Sequence, residues 1–236
     1  MDRQTRHDLK SDRFVQEVAH TVSLFEQHRT TIIRAGIALA LVIVAGVGFY
    51  YFNESRRATR QADLAKAMKT YNALVTPGAT GDARTLTFPT EEARQEAIQK
   101  EFGALVTRHS GSEEAAIASY LLGVNAADRG ELDESVKQLE KALKDAGPDY
   151  AGLARLALAD VFAAQGKTAE AEKMLRAVIA KPSALASKEQ ATLNLARLLA
   201  RSKPEEAKKL LEPLRTETGA ASRAAISLLS ELSQPQ

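Results

Sequence analysis

The sequence predicts an all-α protein: a single transmembrane helix followed by a solenoid of helical hairpins. Three observations carry that expectation. The good helix formers Ala, Leu, Glu, Lys, Arg and Gln dominate the 236 residues, while β-branched runs are scarce. Residues 35–52 run for eighteen positions without a charge or an amide side chain. Leu139, Leu175 and Leu211 stand 36 residues apart inside segments of similar pattern.

The first element is a tail, residues 1–31. Phe14, Val15, Val18, Val22 and Phe25 form an apolar stripe at helical spacing, with Ser11 or Asp12 as its N-cap. Such a helix suits a membrane surface, a docking partner, or simple inward extension of the span. His20 and His28 lie eight residues apart, too far for a chelating pair on one helix, and read as surface residues.

The span follows at 32–52. Eighteen helical residues cover about 27 Å, close to the ~30 Å hydrocarbon core of a bilayer. Arg34 can snorkel to the headgroups, and Phe49, Tyr50, Tyr51 and Phe52 form an aromatic end before Arg56 and Arg57. A buried core helix is the alternative, but buried helices seldom stay uncharged for so long. The run begins 34 residues in and lacks a small-residue cleavage pattern, so it reads as a retained anchor rather than a cleaved signal.

Charge does not orient it. Arg3, Arg6, Lys10, Arg13, Arg29 and Arg34 precede the span; Arg56, Arg57, Arg60, Lys66 and Lys69 follow it. Within about 15 residues of the span the second flank is richer, which gives a cytoplasmic N-terminus no support. Gly36 and Ala40 share a helical spacing that suits helix association.

Residues 53–112 link the span to the repeats. Residues 55–75 are helix-compatible, with Ala58, Ala62, Leu64, Ala65, Met68 and Leu74 as apolar positions. Residues 76–89 carry two prolines and two glycines and read as a long loop. Thr90 with Glu91 and Glu92 opens a helix to about Arg108, with Ala93, Ala97, Ile98, Phe102 and Leu105 inward. His109 to Ser112 ends it and caps the next.

From residue 113 to 236 the pattern repeats, in units of about 113–147, 150–182 and 187–216 with a capping helix at 220–232. Tyr120-Leu-Leu-Gly123 recurs as Leu156-Ala-Leu-Ala159 and as Asn194-Leu-Ala196. Gly130-Glu-Leu-Asp-Glu-Ser recurs as Gly166-Lys-Thr-Ala-Glu-Ala and as Lys203-Pro-Glu-Glu-Ala. Gly123, Ala159 and Ala196 precede the spaced leucines by 16, 16 and 15 positions. Pro148, Pro182 and Pro213 fall at or near the ends of the second helices. Each unit is two antiparallel helices whose small residues mark the crossing, and neighbours must stack to bury both faces.

These residues resemble tetratricopeptide repeats. Leu122-Gly123 and Leu158-Ala159 match the paired signature. Phe162 matches the aromatic, Gly130 and Gly166 the turn, and Ser135 and Ala171 the small packing positions; Ala142, Leu195, Ala196 and Ala207 are further residues expected to pack the repeats. The period of 36 exceeds the family's usual 34, no tryptophan is present, and the third unit has Pro204 where a turn glycine is expected. The layout as a whole resembles the YfgM-like bacterial inner-membrane proteins. That resemblance implies a cytoplasmic N-terminus, a periplasmic repeat domain, and an ancillary role at the Sec translocon with periplasmic chaperones.

The chemistry of an enzyme is missing. There is no cysteine for a disulfide, a thiol nucleophile or a thiolate metal site. A net charge of +2 lacks the footprint of a nucleic-acid binder despite a pI of 8.8. No Walker, nucleophile-elbow, zincin or calcium-loop pattern occurs, and His109 is the only histidine beyond the span. Glu91–Glu92, Glu113–Glu114 and Glu205–Glu206 begin helices, where they complement the macrodipole. The expectation is therefore no catalytic residue, no cofactor and no metal.

The partners expected are proteins, translocon subunits or periplasmic chaperones among them, and the lipid bilayer through 32–52. By the resemblance, Tyr120, Val124, Asp128, Leu156, Asp160, Asn194, Arg197 and Arg201 line a partner-binding groove, with Val124 and Leu156 the nearest to core. The expected function is a non-enzymatic, membrane-anchored interaction adaptor. The alternatives are a scaffold for cell division or outer-membrane assembly, or a cytoplasmic tethered regulator.

Overall fold

Helix-favouring residues uninterrupted by proline give the first element its length. In the computed structural model, α1 runs Arg3–Tyr71. The structure describes residues 3–77 and 86–233, with side chains from Thr30 onward except Ile32. The apolar stripe from Phe14 to Phe25 and the histidines His20 and His28 therefore lie outside the described side chains. The helix starts at Arg3, so neither Ser11 nor Asp12 is an N-cap. Its most apolar 18-residue window has a mean hydropathy of 2.1 and none of it is buried, which makes it long and apolar enough to span a membrane.

The chain divides into two units, Met1–Ala58 and Thr59–Gln236. The second begins with the last turns of α1. That helix ends at Tyr71, short of the expected Val75, because Leu74–Val75 forms a strand, β1. It pairs in parallel with β2, Thr87–Phe88, and Thr76 N–H donates to the Phe88 carbonyl at 2.9 Å. The expected loop over 76–89 thus ends in a short strand pair, a feature two residues long that no alternation could announce.

Among the described residues, eight further helices follow: α2 Glu91–Arg108, α3 Glu113–Asp128, α4 Leu132–Asp145, α5 Pro148–Ala164, α6 Thr168–Ala180, α7 Lys188–Leu199, α8 Pro204–Arg215 and α9 Ala220–Ser233. Each packs on its neighbour in sequence, and α3 also meets α5 as α7 meets α9. Thr90, Ser112 and Ser187 cap α2, α3 and α7 by accepting the N–H three residues on. Pro213 sits inside the last turn of α8 rather than after it.

The hairpin turns explain the repeat. Gly130 at φ +77° and Gly166 at φ +73° take the left-handed conformation that ends α3 and α5. Gly130 N–H donates to the Ala127 carbonyl and Glu131 N–H to the Ala126 carbonyl, both at 2.9 Å. Gly166 to Ala163 at 3.0 Å and Lys167 to Phe162 at 2.8 Å repeat that pair. The third turn reaches the same end without glycine, through Lys203 N–H to the Leu199 carbonyl at 2.8 Å. Glu131, Lys167 and Lys203, the residues before α4, α6 and α8, keep the 36-residue step.

Packing follows from small residues. A Cβ on Gly123 would stand 2.6 Å from Leu139 Cγ, so only glycine lets α3 and α4 approach this closely. Ser135 Oγ donates to the Gly123 carbonyl at 2.7 Å across that crossing. Ala159 with Ala171, and Ala196 with Ala207, replace this polar contact by buried methyls. Leu122, Leu139, Ala142, Leu158, Leu175, Leu195 and Leu211 are all buried, Phe162 is half-buried, and Gly130 and Gly166 are exposed in their turns. Each such leucine contributes about 1.5–3 kcal/mol by leaving water.

The core has three parts. One joins the end of α1 to α2 and α3 around Ala67, Ile98, Phe102 and Leu122. A small one lies around Leu139, Leu158 and Val161. The largest runs from Leu156 on α5 to Leu228 on α9.

Candidate functional site

The first helices of the three hairpins hold the residues expected to line a groove. Tyr120 on α3 is half-buried, with its ring 5.7 Å from Tyr150 on α5 in an edge-to-face pair. Burial pushes its hydroxyl above the ordinary tyrosine range. Val124 is half-buried against the Leu139 core, and Asp128 is exposed. Leu156 is buried in the largest core and belongs to packing rather than to a surface.

Asp160, further along α5, reaches solvent, yet the surrounding protein raises its carboxyl above the usual range by desolvation. On α7, Asn194 accepts from Arg197 at 3.2 Å. Arg197 and Arg201 are exposed. The surface these residues offer is mixed: an aromatic pair at the α3–α5 end, a desolvated carboxylate on α5, and cationic arginines on and just after α7.

A second feature was not among the expected residues. A cavity of about 850 Å³ opens between the end of α1, the first half of α2 and the end of α3. Its apolar lining is Tyr71 and buried Ile98, with Tyr71 packed edge-to-face on Phe102 at 6.1 Å. Buried Asn125 donates from its amide to Gln95 and accepts from Arg129. Arg129 is held in turn by Glu131 at 2.7 Å, and Arg94 by Glu91 at 2.6 Å and by the Tyr71 carbonyl at 3.3 Å. Hydrogen bonding from Arg129 lowers Glu131, and that from Arg94 lowers Glu91. Asp128 is the one residue shared by this cavity and the expected groove.

The only sequence trace of the cavity is spacing. Gln95 and Gln99 stand four apart on α2, as Asn125 on α3 and Arg129 at its C-cap do, and each pair shares a helical face. Tyr71 is brought in from across the strand pair, which no local pattern announces.

Charged side chains also clasp the end of α1. Asp63 lies 2.8 Å from His109 Nε2 and 3.0 Å from Arg108, and Arg60 lies 3.0 Å from Glu114. The hydrogen bond with His109, then that with Arg108, holds the Asp63 carboxyl below its ordinary value. Glu114 therefore answers a cation on α1 besides beginning a helix. Among the described residues, no three His, Cys, Asp or Glu side chains converge to hold a metal ion.

Compared with known families, the chain matches the model of the tetratricopeptide repeat-like domain twice, over residues 24–175 and 144–226. Together these matches take in most of the chain. No curated protein and no solved structure matches it.

Proposed function

Since the chain belongs to the tetratricopeptide repeat-like domain family, we propose that it is a membrane-anchored adaptor that binds proteins through its hairpin array. Domains of this family typically act as non-enzymatic interaction scaffolds, and the family match supports that role here. The carrying observation is the union, in one chain, of an unburied apolar helix with a family-matched array. Tethering confines the array near the bilayer and raises its effective concentration toward membrane-bound partners.

The groove we propose comprises Tyr120, Val124, Asp128, Asp160, Asn194, Arg197 and Arg201, with Leu156 assigned to packing. Its mixture of half-buried apolar and exposed charged side chains suits a peptide or protein surface. The retained span rests on the apolar run beginning 34 residues in without a small-residue cleavage pattern, and the cytoplasmic N-terminus and periplasmic array rest on the resemblance to YfgM-like inner-membrane proteins. So does the partner class, translocon subunits and periplasmic chaperones.

Reporter fusions at the C-terminus test the orientation. Active alkaline phosphatase there is expected; an inactive phosphatase with an active cytoplasmic reporter would overturn it. Crosslinking in membranes followed by pull-down tests the partner class. Recovery of translocon subunits is expected, and recovery of division or outer-membrane assembly proteins without them would contradict it. Arg197→Glu with Arg201→Glu should weaken capture while leaving the helical content unchanged.

A further inference from the structure

The cavity at the start of the array has a charge character that its internal contacts leave unanswered. Its guanidinium groups are engaged: Arg94 is bonded to Glu91, and Arg129 to Glu131 and Asn125. Three of the carboxylates around it are not. Glu92 and Glu96, four apart on α2, and Asp128 at the end of α3 all line it, are exposed, and make no ion pair or side-chain hydrogen bond among the described residues. An anion entering here would meet cations already neutralised and carboxylates free to repel it. A cation would meet the reverse.

The shape adds to the charge. About 850 Å³ exceeds what one ammonium or guanidinium group needs. The half-buried Tyr71 lines the same cavity, an aromatic side chain suited to the methylene stem of a lysine or arginine, or to a neighbouring apolar side chain. Asn125 and Gln95, which also line it, bond each other, so the buried amide of the lining is already satisfied.

From the unpaired carboxylates and the aromatic side chain that line one cavity, we infer that this cavity binds a cationic peptide segment of a partner protein, with Lys or Arg side chains facing Glu92, Glu96 and Asp128. The inference rests on the protein-interaction reading above and names the chemistry of one contact. The site reads charge and apolar bulk rather than a fixed sequence, so binding weakens as salt rises.

The test uses the full chain in nanodiscs of phosphatidylcholine, which carries no net charge, with empty nanodiscs as background. The probe is a fluorescein-labelled Gly-Phe-Lys-Gly-Phe-Lys-Gly amide, read by anisotropy beside the same peptide with Glu for Lys. The Lys peptide should bind and the Glu peptide should not. Raising salt from about 50 to about 300 mM should weaken binding severalfold. The combined variant Glu92→Gln, Glu96→Gln and Asp128→Asn should lose about tenfold in affinity. These residues are exposed, so its circular dichroism should match the parent. Glu140→Gln with Glu217→Gln, exposed carboxylates outside both the cavity and the proposed groove, should bind the Lys peptide like the parent. Equal binding by the parent and the combined variant, or equal binding of both peptides, overturns the inference. Crosslinking in membranes reports partners of any charge, so failure of the adaptor reading is seen separately.

Discussion

The two ends of the second unit are held together by different chemistry. From α5 to α9 the core is a single aliphatic run, built from alanines and leucines with Ala171, Leu195, Ala196 and Leu211 fully buried. Around α1, α2 and α3, charged and amide side chains surround a smaller apolar cluster, and a large cavity stays open beside it. Charge appears in the array too, but on its outside. Arg176 on α6 bridges Glu172 and Glu206, and Lys203 also reaches Glu172, joining successive hairpins at their surface. The difference teaches where this molecule has room for a ligand. A smaller cavity of about 240 Å³ lies within the array beside Pro148 and Pro182, while the larger one lies at the α1–α3 end, before the 36-residue step begins.

Truncating one buried side chain on each side should break the comparison most strongly. Leu211→Ala in the array should cost about 2–5 kcal/mol, and Phe102→Ala at the α1–α3 junction about 3–5 kcal/mol. Urea titration of each full-length variant measures both. Stacked hairpins couple mainly to their neighbours. A loosening confined to the damaged end, seen by hydrogen exchange, is therefore the expected pattern. Uniform loss of protection from α2 to α9 would contradict it.

A pair of glycines sharpens the contrast. Gly123→Val would drive a side chain into Leu139 and should destabilise by about 1–3 kcal/mol. Gly103 lies within α2, and a Cβ added there would meet nothing within 4 Å. Gly103→Ala should therefore stabilise by about 0.4–1 kcal/mol. Thermal unfolding of the two variants should move in opposite directions.

The smallest effect belongs to the clasp on α1. The Asp63 carboxyl is held below its ordinary value, chiefly by the hydrogen bond with His109. Its stabilisation is thus whole above the unfolded carboxylate pKa of about 4 and is lost as the pH falls through the lower folded value. Asp63→Asn should cost about 0.5 kcal/mol at neutral pH, since the pair is partly exposed. That difference from the parent should vanish in acid, and an equal difference at both pH values would contradict the role given to the carboxylate.

What could be read from the residues alone follows the same division. The apolar run of 35–52 was legible because uniform apolar composition over a fixed length is what makes a helix able to span a bilayer. The hairpins were legible because Leu139, Leu175 and Leu211, with the small residues before them, recur at a constant step. The end of α1 was not, since Leu74 and Val75 suit a helix and a strand alike, and their pairing with Thr87 and Phe88 depends on distant chain. Leu156 shares the helix of Asp160 but turns inward, a distinction that packing decides. The cavity was least legible because Tyr71, Gln95 and Asn125 come from three helices and carry no motif.

The central claim is that the array binds proteins through the first helices of its hairpins while the chain stays in the membrane. Photoreactive residues placed singly at exposed Asp160 and Arg197, and at exposed Lys209 on α8 as a control, test it most directly in native membranes washed with alkaline carbonate. The account predicts that the chain resists the wash and that discrete protein adducts form from positions 160 and 197 but not from 209. Extraction of the chain by carbonate, or the same adducts from all three positions, would contradict it.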